Sequence, residues 1–184
     1  MSIHRELKME VIMYKRKILE MDELQVYTYI NWKYEYPYDF YNIPEEGIKE
    51  TIDEIFEDNN SFYFSVFDPN DKLFGIYEYT FRSNFMEIGL GIRPEDTGKG
   101  LGLDFIKECI HFGRTTFLYR GDICLRVADF NKRAIKLYKK IGFIEFSREE
   151  NISFGKPVVF ICMRLLNNSS YLNDSLEIEY EHFN

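Results

Sequence analysis

The sequence predicts a single mixed α/β domain, a twisted β-sheet flanked by helices. Three observations carry that prediction. Helical periodicity dominates residues 23–56, a period of two takes over from residue 61 to 92, and strand-like and helix-like segments then alternate to about residue 165. No internal repeat is visible, and a chain of 184 residues suits one well-filled domain.

Each element has a local reason. Residues 11–18 (VIMYKRKI) read as a first strand. Asp22 is placed to cap a helix over ELQVYTYINWKYE, which must stop before Pro37 because a residue preceding proline avoids helical angles. A second helix is expected over Glu45–Phe56, with Ile48, Ile52, Ile55 and Phe56 on one face. SFYFSVF (61–67) and LFGIYEYTF (73–81), split by the turn-forming Asp68–Lys72, read as a hairpin, and FMEIGLGI (85–92) as a third strand. A helix near 100–112, a strand at Asp122–Ala128, a helix near 131–141 and strands at 143–147 and 157–165 complete the order. Residues 1–166 are thus assigned to the domain, and 167–184 to an acidic C-terminal tail or edge strand.

Composition narrows the function. The net charge is −8, which argues against a phosphate-backbone-binding surface and favours a cationic partner. Aromatic residues reach 17%, so aromatic-lined surfaces are expected. Cys109, Cys124 and Cys162 sit in apolar runs without C-x-x-C spacing and read as buried free thiols. His4, His111 and His182 form no metal-ligand pattern, so no metal is expected. No apolar run reaches spanning length and the first residues lack a signal-peptide core, so a cytoplasmic protein without a membrane or nucleic-acid partner is expected.

Pro94–Gly102 (PEDTGKGLG) follows the third strand and opens a helix. It is neither a P-loop, since Gly100 stands where a hydroxyl should follow Lys99, nor a dinucleotide fingerprint, since Leu103 takes the third glycine position. Alternating glycines still let successive amides converge on an anion, and the helix adds its own unsatisfied N–H groups. A plain tight turn explains the loop equally well on its own. A second pattern breaks the tie: Asn131, a helix N-cap candidate, leads N-x-x-A-x-x-x-Y-x-x-x-G-F, with Ala134 and Tyr138 sharing a face.

Thr97–Gly102 followed about thirty residues later by Asn131–Phe143 resembles the GNAT superfamily of acyl-CoA-dependent N-acyltransferases, and the element order over roughly 10–165 is similar to that fold. The resemblance implies acetyl-CoA as cosubstrate and a GNAT-like twisted mixed sheet. It implies a pyrophosphate on the loop formed by Gly98, Lys99, Gly100, Leu101 and Gly102, with Lys99 giving charge from the rim. Pantetheine would run beside Leu90, Gly91 and Ile92, Asn131 and Ala134 would meet that arm, and Tyr138 would face the sulfur. The family loop usually opens with Gln or Arg; this chain has Thr97, so a strong side-chain contact there is not expected.

The chemistry the resemblance implies is transfer of an acetyl group from the thioester to a primary amine, with a non-catalytic acyl-CoA-binding module as the alternative. An ammonium with a pKa near ~10.4 must first lose a proton. Glu87, sharing a strand face with Gly89 and Gly91, is the candidate base and Glu78 its competitor. Tyr138 is the candidate acid for the leaving thiolate. The stretch WKYEYPYDFY would border the acceptor, which makes Trp32, Glu35 and Tyr36 the candidate substrate contacts. The acceptor itself stays open between small-molecule and peptide amines, and a homodimer is one option for the assembly.

Overall fold

The aromatic and aliphatic runs of residues 61–92 do form neighbouring strands within the sheet, buried on both faces over residues 73–81. The computed structural model describes residues 16–167. In chain order its elements are β1 (Lys17–Glu20), α1 (Glu23–Ile30), α2 (Ile48–Glu57), β2 (Ser61–Phe67), β3 (Leu73–Phe81), β4 (Met86–Ile92), α3 (Gly102–Thr116), β5 (Ile123–Ala128), α4 (Lys132–Lys140), β6 (Ile144–Ser153) and β7 (Lys156–Leu165). Residues 11–15 of the expected first strand, and the tail beyond Asn167, lie outside the described residues.

The seven strands are ordered β1-β2-β3-β4-β5-β7-β6. Every neighbouring pair is antiparallel except β4 and β5. That one parallel ladder is also the shortest. It joins Met86 to Ile123 and Glu87 to Cys124 and then stops, although β4 continues to Ile92 and β5 to Ala128. The sheet therefore splits open along one seam while remaining continuous at the seam's base.

Helices cover both faces. On one, α3 and α4 bury a core with Tyr77, Tyr79, Phe105, Ile106 and Met163. The two phenols are satisfied there, Tyr77 donating to the Phe105 carbonyl at 3.1 Å and Tyr79 to that of Cys109 at 2.7 Å, as buried hydroxyls require. On the other face, α1 and α2 bury Val26, Ile30, Trp32, Ile55 and Tyr63 against Ile76. Cys109, Cys124 and Cys162 are all free and buried.

Two elements differ from expectation for local reasons. Asp22 and Gln25 form a capping box at the start of α1, but the helix ends at Ile30 rather than Glu35. Asn31 turns its side-chain amide back to the Tyr27 carbonyl at 2.7 Å. Just beyond, Asn42 clips both backbone groups of Tyr34, at 2.6 and 3.0 Å, which holds that residue out of a helix. At the other end β6 runs to Ser153, well past residue 147, with its side chains largely exposed. An edge strand wet on both faces leaves no hydrophobic alternation to find.

Candidate active site

The split between β4 and β5 opens into a cavity of about 650 Å³, walled by β4, β5, the glycine loop, the first turns of α3 and α4 and four tyrosines from the N-terminal third. Strand phase decides what points into it. Met86 donates its amide toward β5, to Asp122, whereas Arg93 donates toward β3, to Phe74. By alternation, Ile88, Leu90 and Ile92 direct their backbone groups into the seam, where β5 has moved away. Gly89 and Gly91 face β3 with theirs. The Ile92 carbonyl is already taken by the Tyr34 hydroxyl at 2.9 Å.

At one end of the seam, Gly98 and Gly100 adopt φ of +77° and +81°, a conformation that L side chains resist. Leu101 caps α3 without any side-chain hydrogen bond, and the start of a fifteen-residue helix favours an anion through its N–H groups and dipole. Gly98, Gly100, Leu101 and Gly102 all line the cavity, as does Thr97. The Thr97 hydroxyl, however, donates to the Pro94 carbonyl at 2.9 Å.

Lys99 is not among the lining residues. Its ammonium pairs with Asp96 at 2.7 Å, and Asp96 also pairs with Arg93. The cation at the loop is instead Arg133, which the sequence reading passed over. A Cβ built on Gly98 would stand 3.2 Å from its Nη1.

The first turn of α4 is built as its sequence requires. Asn131 accepts from the Ala134 amide at 3.2 Å, the N-cap bond, and its own amide donates to the Tyr41 hydroxyl at 3.1 Å. Ala134 and Tyr138 follow along the face turned to the cavity. Tyr138 is 9% exposed. Burial pushes its phenol well above the usual range, so it stays protonated at every working pH.

The two carboxylates separate. Glu87 does not line the cavity: it is held between Arg126, at 2.5 Å, and Arg82, at 3.3 Å. Glu78 does line it. Burial, then the charge of Glu54, raises the Glu78 carboxyl to about 7. Its neighbour Thr80 donates to Oε1 at 3.2 Å. The strand alternation that singled out Glu87 also puts Glu78 on that same face, since Glu78 pairs with Gly89. What the alternation lacks is the seam, which begins one residue beyond Glu87.

The expected acceptor contacts do not line the cavity. Trp32 is buried in the core under α1, edge-on to Tyr29 and Tyr34. Glu35 is exposed and Tyr36 is 88% exposed, outside the cavity. The same aromatic stretch supplies Tyr34, Tyr38 and Tyr41 to the lining, joined by Tyr29. The chain leaves the α-helix at Asn31, so the aromatic stretch lies outside it. Among the described residues, no group of three or more His, Cys, Asp or Glu is arranged to hold a metal ion.

Residues 17–144 match the family model described as an acetyltransferase (GNAT) domain. The chain is 31% identical over 153 residues to the spermidine N(1)-acetyltransferase of Vibrio cholerae serotype O1, covering 79% of this chain and 84% of the relative. Among solved structures it resembles the Vibrio cholerae spermidine/spermine N-acetyltransferase in complex with manganese ions, at a TM-score of 0.67 and 25% identity over 87% of this chain and 96% of that one. The spermidine N-acetyltransferase of the same organism in complex with CoA and spermine superposes with a TM-score of 0.69 at 24% identity, over 86% of this chain and 99% of that one. A split sheet, a positive-φ glycine loop at an uncapped helix and a buried tyrosine facing the seam are therefore found on a sequence that matches such enzymes over most of its length. The chain belongs to the GNAT acetyltransferase family and is an acetyl-CoA-dependent N-acetyltransferase acting on an amine.

Proposed function

We propose that the acceptor is a linear polyamine of the spermidine and spermine class and that Glu78 accepts the proton of the attacking nitrogen. The observation carrying this reading is the Glu78 carboxyl itself, raised to about 7 in a tyrosine-lined cavity that also reaches the glycine loop. A base of that pKa is half ionised near neutrality, where proton acceptance from an ammonium-derived nucleophile is most useful. Tyrosine rings and carboxylates suit a flexible chain of cationic nitrogens, and a net charge of −8 attracts one. The Vibrio cholerae relative named for spermidine adds support.

In this mechanism the neutral nitrogen attacks the thioester carbonyl, a C–N bond forms and the C–S bond breaks. The backbone N–H groups of Leu90 and Ile92, directed into the seam, are placed to stabilise charge on the carbonyl oxygen. Tyr138 gives its proton to the departing thiolate. The loop from Thr97 to Gly102 and the start of α3 hold the pyrophosphate through backbone N–H groups. Asn131 and Ala134 border the pantetheine arm beside Leu90, Gly91 and Ile92. The catalytic domain is read as residues 1–166, and three unpaired thiols fit a cytoplasmic setting.

The test is an acceptor panel with acetyl-CoA, read by thiol release and by product mass. Spermidine and spermine should gain one acetyl group, ahead of aminoglycosides, free amino acids and peptide N-termini. Acetylation of another class with both polyamines inert would overturn the polyamine reading.

A further inference from the structure

We propose that Arg133 is the side chain that binds the CoA pyrophosphate, the task the motif alone would give to Lys99. The cavity needs a cation at its phosphate end, and the two candidates differ in what already holds them. Lys99 is neutralised by Asp96 and stays outside the lining. Arg133 lines the cavity, and its Nη1 lies against Gly98 of the loop. No carboxylate pairs with Arg133 among the described residues.

The guanidinium is also held in position. Its Cζ stands 4.2 Å from the centroid of the Tyr38 ring, a cation–π contact. A guanidinium offers N–H groups in a fork that fits two phosphate oxygens. Tyr38 in turn packs on Phe130, just before the Asn131 cap. A cation set against an aromatic wall, with its Nη1 at a glycine loop and no carboxylate partner among the described residues, is a contact suited to an anion. Its partner is taken to be the pyrophosphate because Gly98 belongs to the loop to which the proposed function gives that group.

Calorimetric titration of the purified enzyme tests this without an acceptor, so a wrong acceptor assignment leaves it intact. Arg133→Gln should weaken CoA and dephospho-CoA about tenfold alike and leave pantetheine, which lacks phosphate, unchanged. Arg133→Lys should fall between, keeping charge and losing the fork. Lys136→Gln, which removes an exposed charge from the same helix, should leave all three ligands unchanged. Equal weakening of pantetheine would overturn the proposal, because it would mark a packing role. Weakening confined to CoA would move the contact to the 3′-phosphate, and loss in Lys99→Gln with none in Arg133→Gln would return it to Lys99; either overturns the assignment.

Discussion

Glu78 and Gly89 face each other across the β3–β4 ladder, and a Cβ built on Gly89 would lie 2.5 Å from Glu78 Oε2 and 3.1 Å from Glu78 Cβ. The carboxyl thus occupies the room left by an absent side chain. That room lies beside the seam, where β4 has lost its β5 partner. A glycine in mid-strand weakens the strand, and here the space it leaves positions an ionisable group.

Gly89→Ala should therefore act on catalysis before stability. The new methyl displaces the end of a flexible side chain, so the fold remains, but the base moves by about an ångström. A displacement of that size costs on the order of a hundredfold in turnover. Steady-state kinetics should show kcat falling with KM for acetyl-CoA near wild type, and thermal melting should change little. Unchanged kcat would detach Glu78 from the chemistry.

The raised Glu78 carboxyl also sets opposite pH trends for activity and stability. As base it must be ionised, so kcat should rise with pH through about 7, and Glu78→Gln should lose both rate and that limb. For stability the sign reverses. The folded carboxyl holds its proton to about 7, above the ordinary 4.5, so between those values the folded state binds more protons than the unfolded. Stability then falls as pH rises across that window, by at most about 3 kcal/mol. Above pH 7, Glu78→Gln should melt higher than wild type while turning over more slowly. A lower melting temperature at pH 8 would contradict the linkage.

Tyr138→Phe separates proton donation from packing. No hydrogen bond ties the Tyr138 hydroxyl to another described residue, while its ring packs against Phe143 at 5.9 Å. Removing the oxygen leaves the packing intact. We expect kcat to drop by roughly a hundredfold, with CoA affinity and melting temperature near wild type. Wild-type turnover would remove Tyr138 as the acid.

How far the sequence was legible depends on how local each cause is. β2 and β3 fall where aromatic and aliphatic runs bounded by the turn residues Asp68–Lys72 put them, because both the runs and the turn are local in sequence. The glycine loop and the Asn131 cap were equally visible, since both are turns made by consecutive residues. The β4–β5 seam was not, since it depends on where two strands distant in sequence part company. That missing fact favoured Glu87 over Glu78. It also hid Arg133, whose significance comes from lying against Gly98 in the folded chain. That the aromatic stretch from Trp32 to Tyr41 borders the cavity is legible in its composition, but which of its side chains enter is set by Asn31 and Asn42, whose side chains hydrogen-bond the backbone at and just past the end of the helix.

Asn131 performs two tasks that can be told apart. Its oxygen caps α4 and its nitrogen holds the Tyr41 hydroxyl. Asn131→Ala removes the cap, worth about 1 kcal/mol, and should lower the melting temperature by about 2–4 °C. It should also weaken CoA, because the amide that would meet the pantetheine arm is gone. Tyr41→Phe removes only the hydroxyl, which competes with that arm for the same nitrogen, so CoA should bind no less tightly than to wild type and α4 should keep its cap. Paired melts and CoA titrations check both variants. Should Tyr41→Phe weaken CoA as much as Asn131→Ala does, the hydroxyl is a ligand to the cosubstrate and not its competitor.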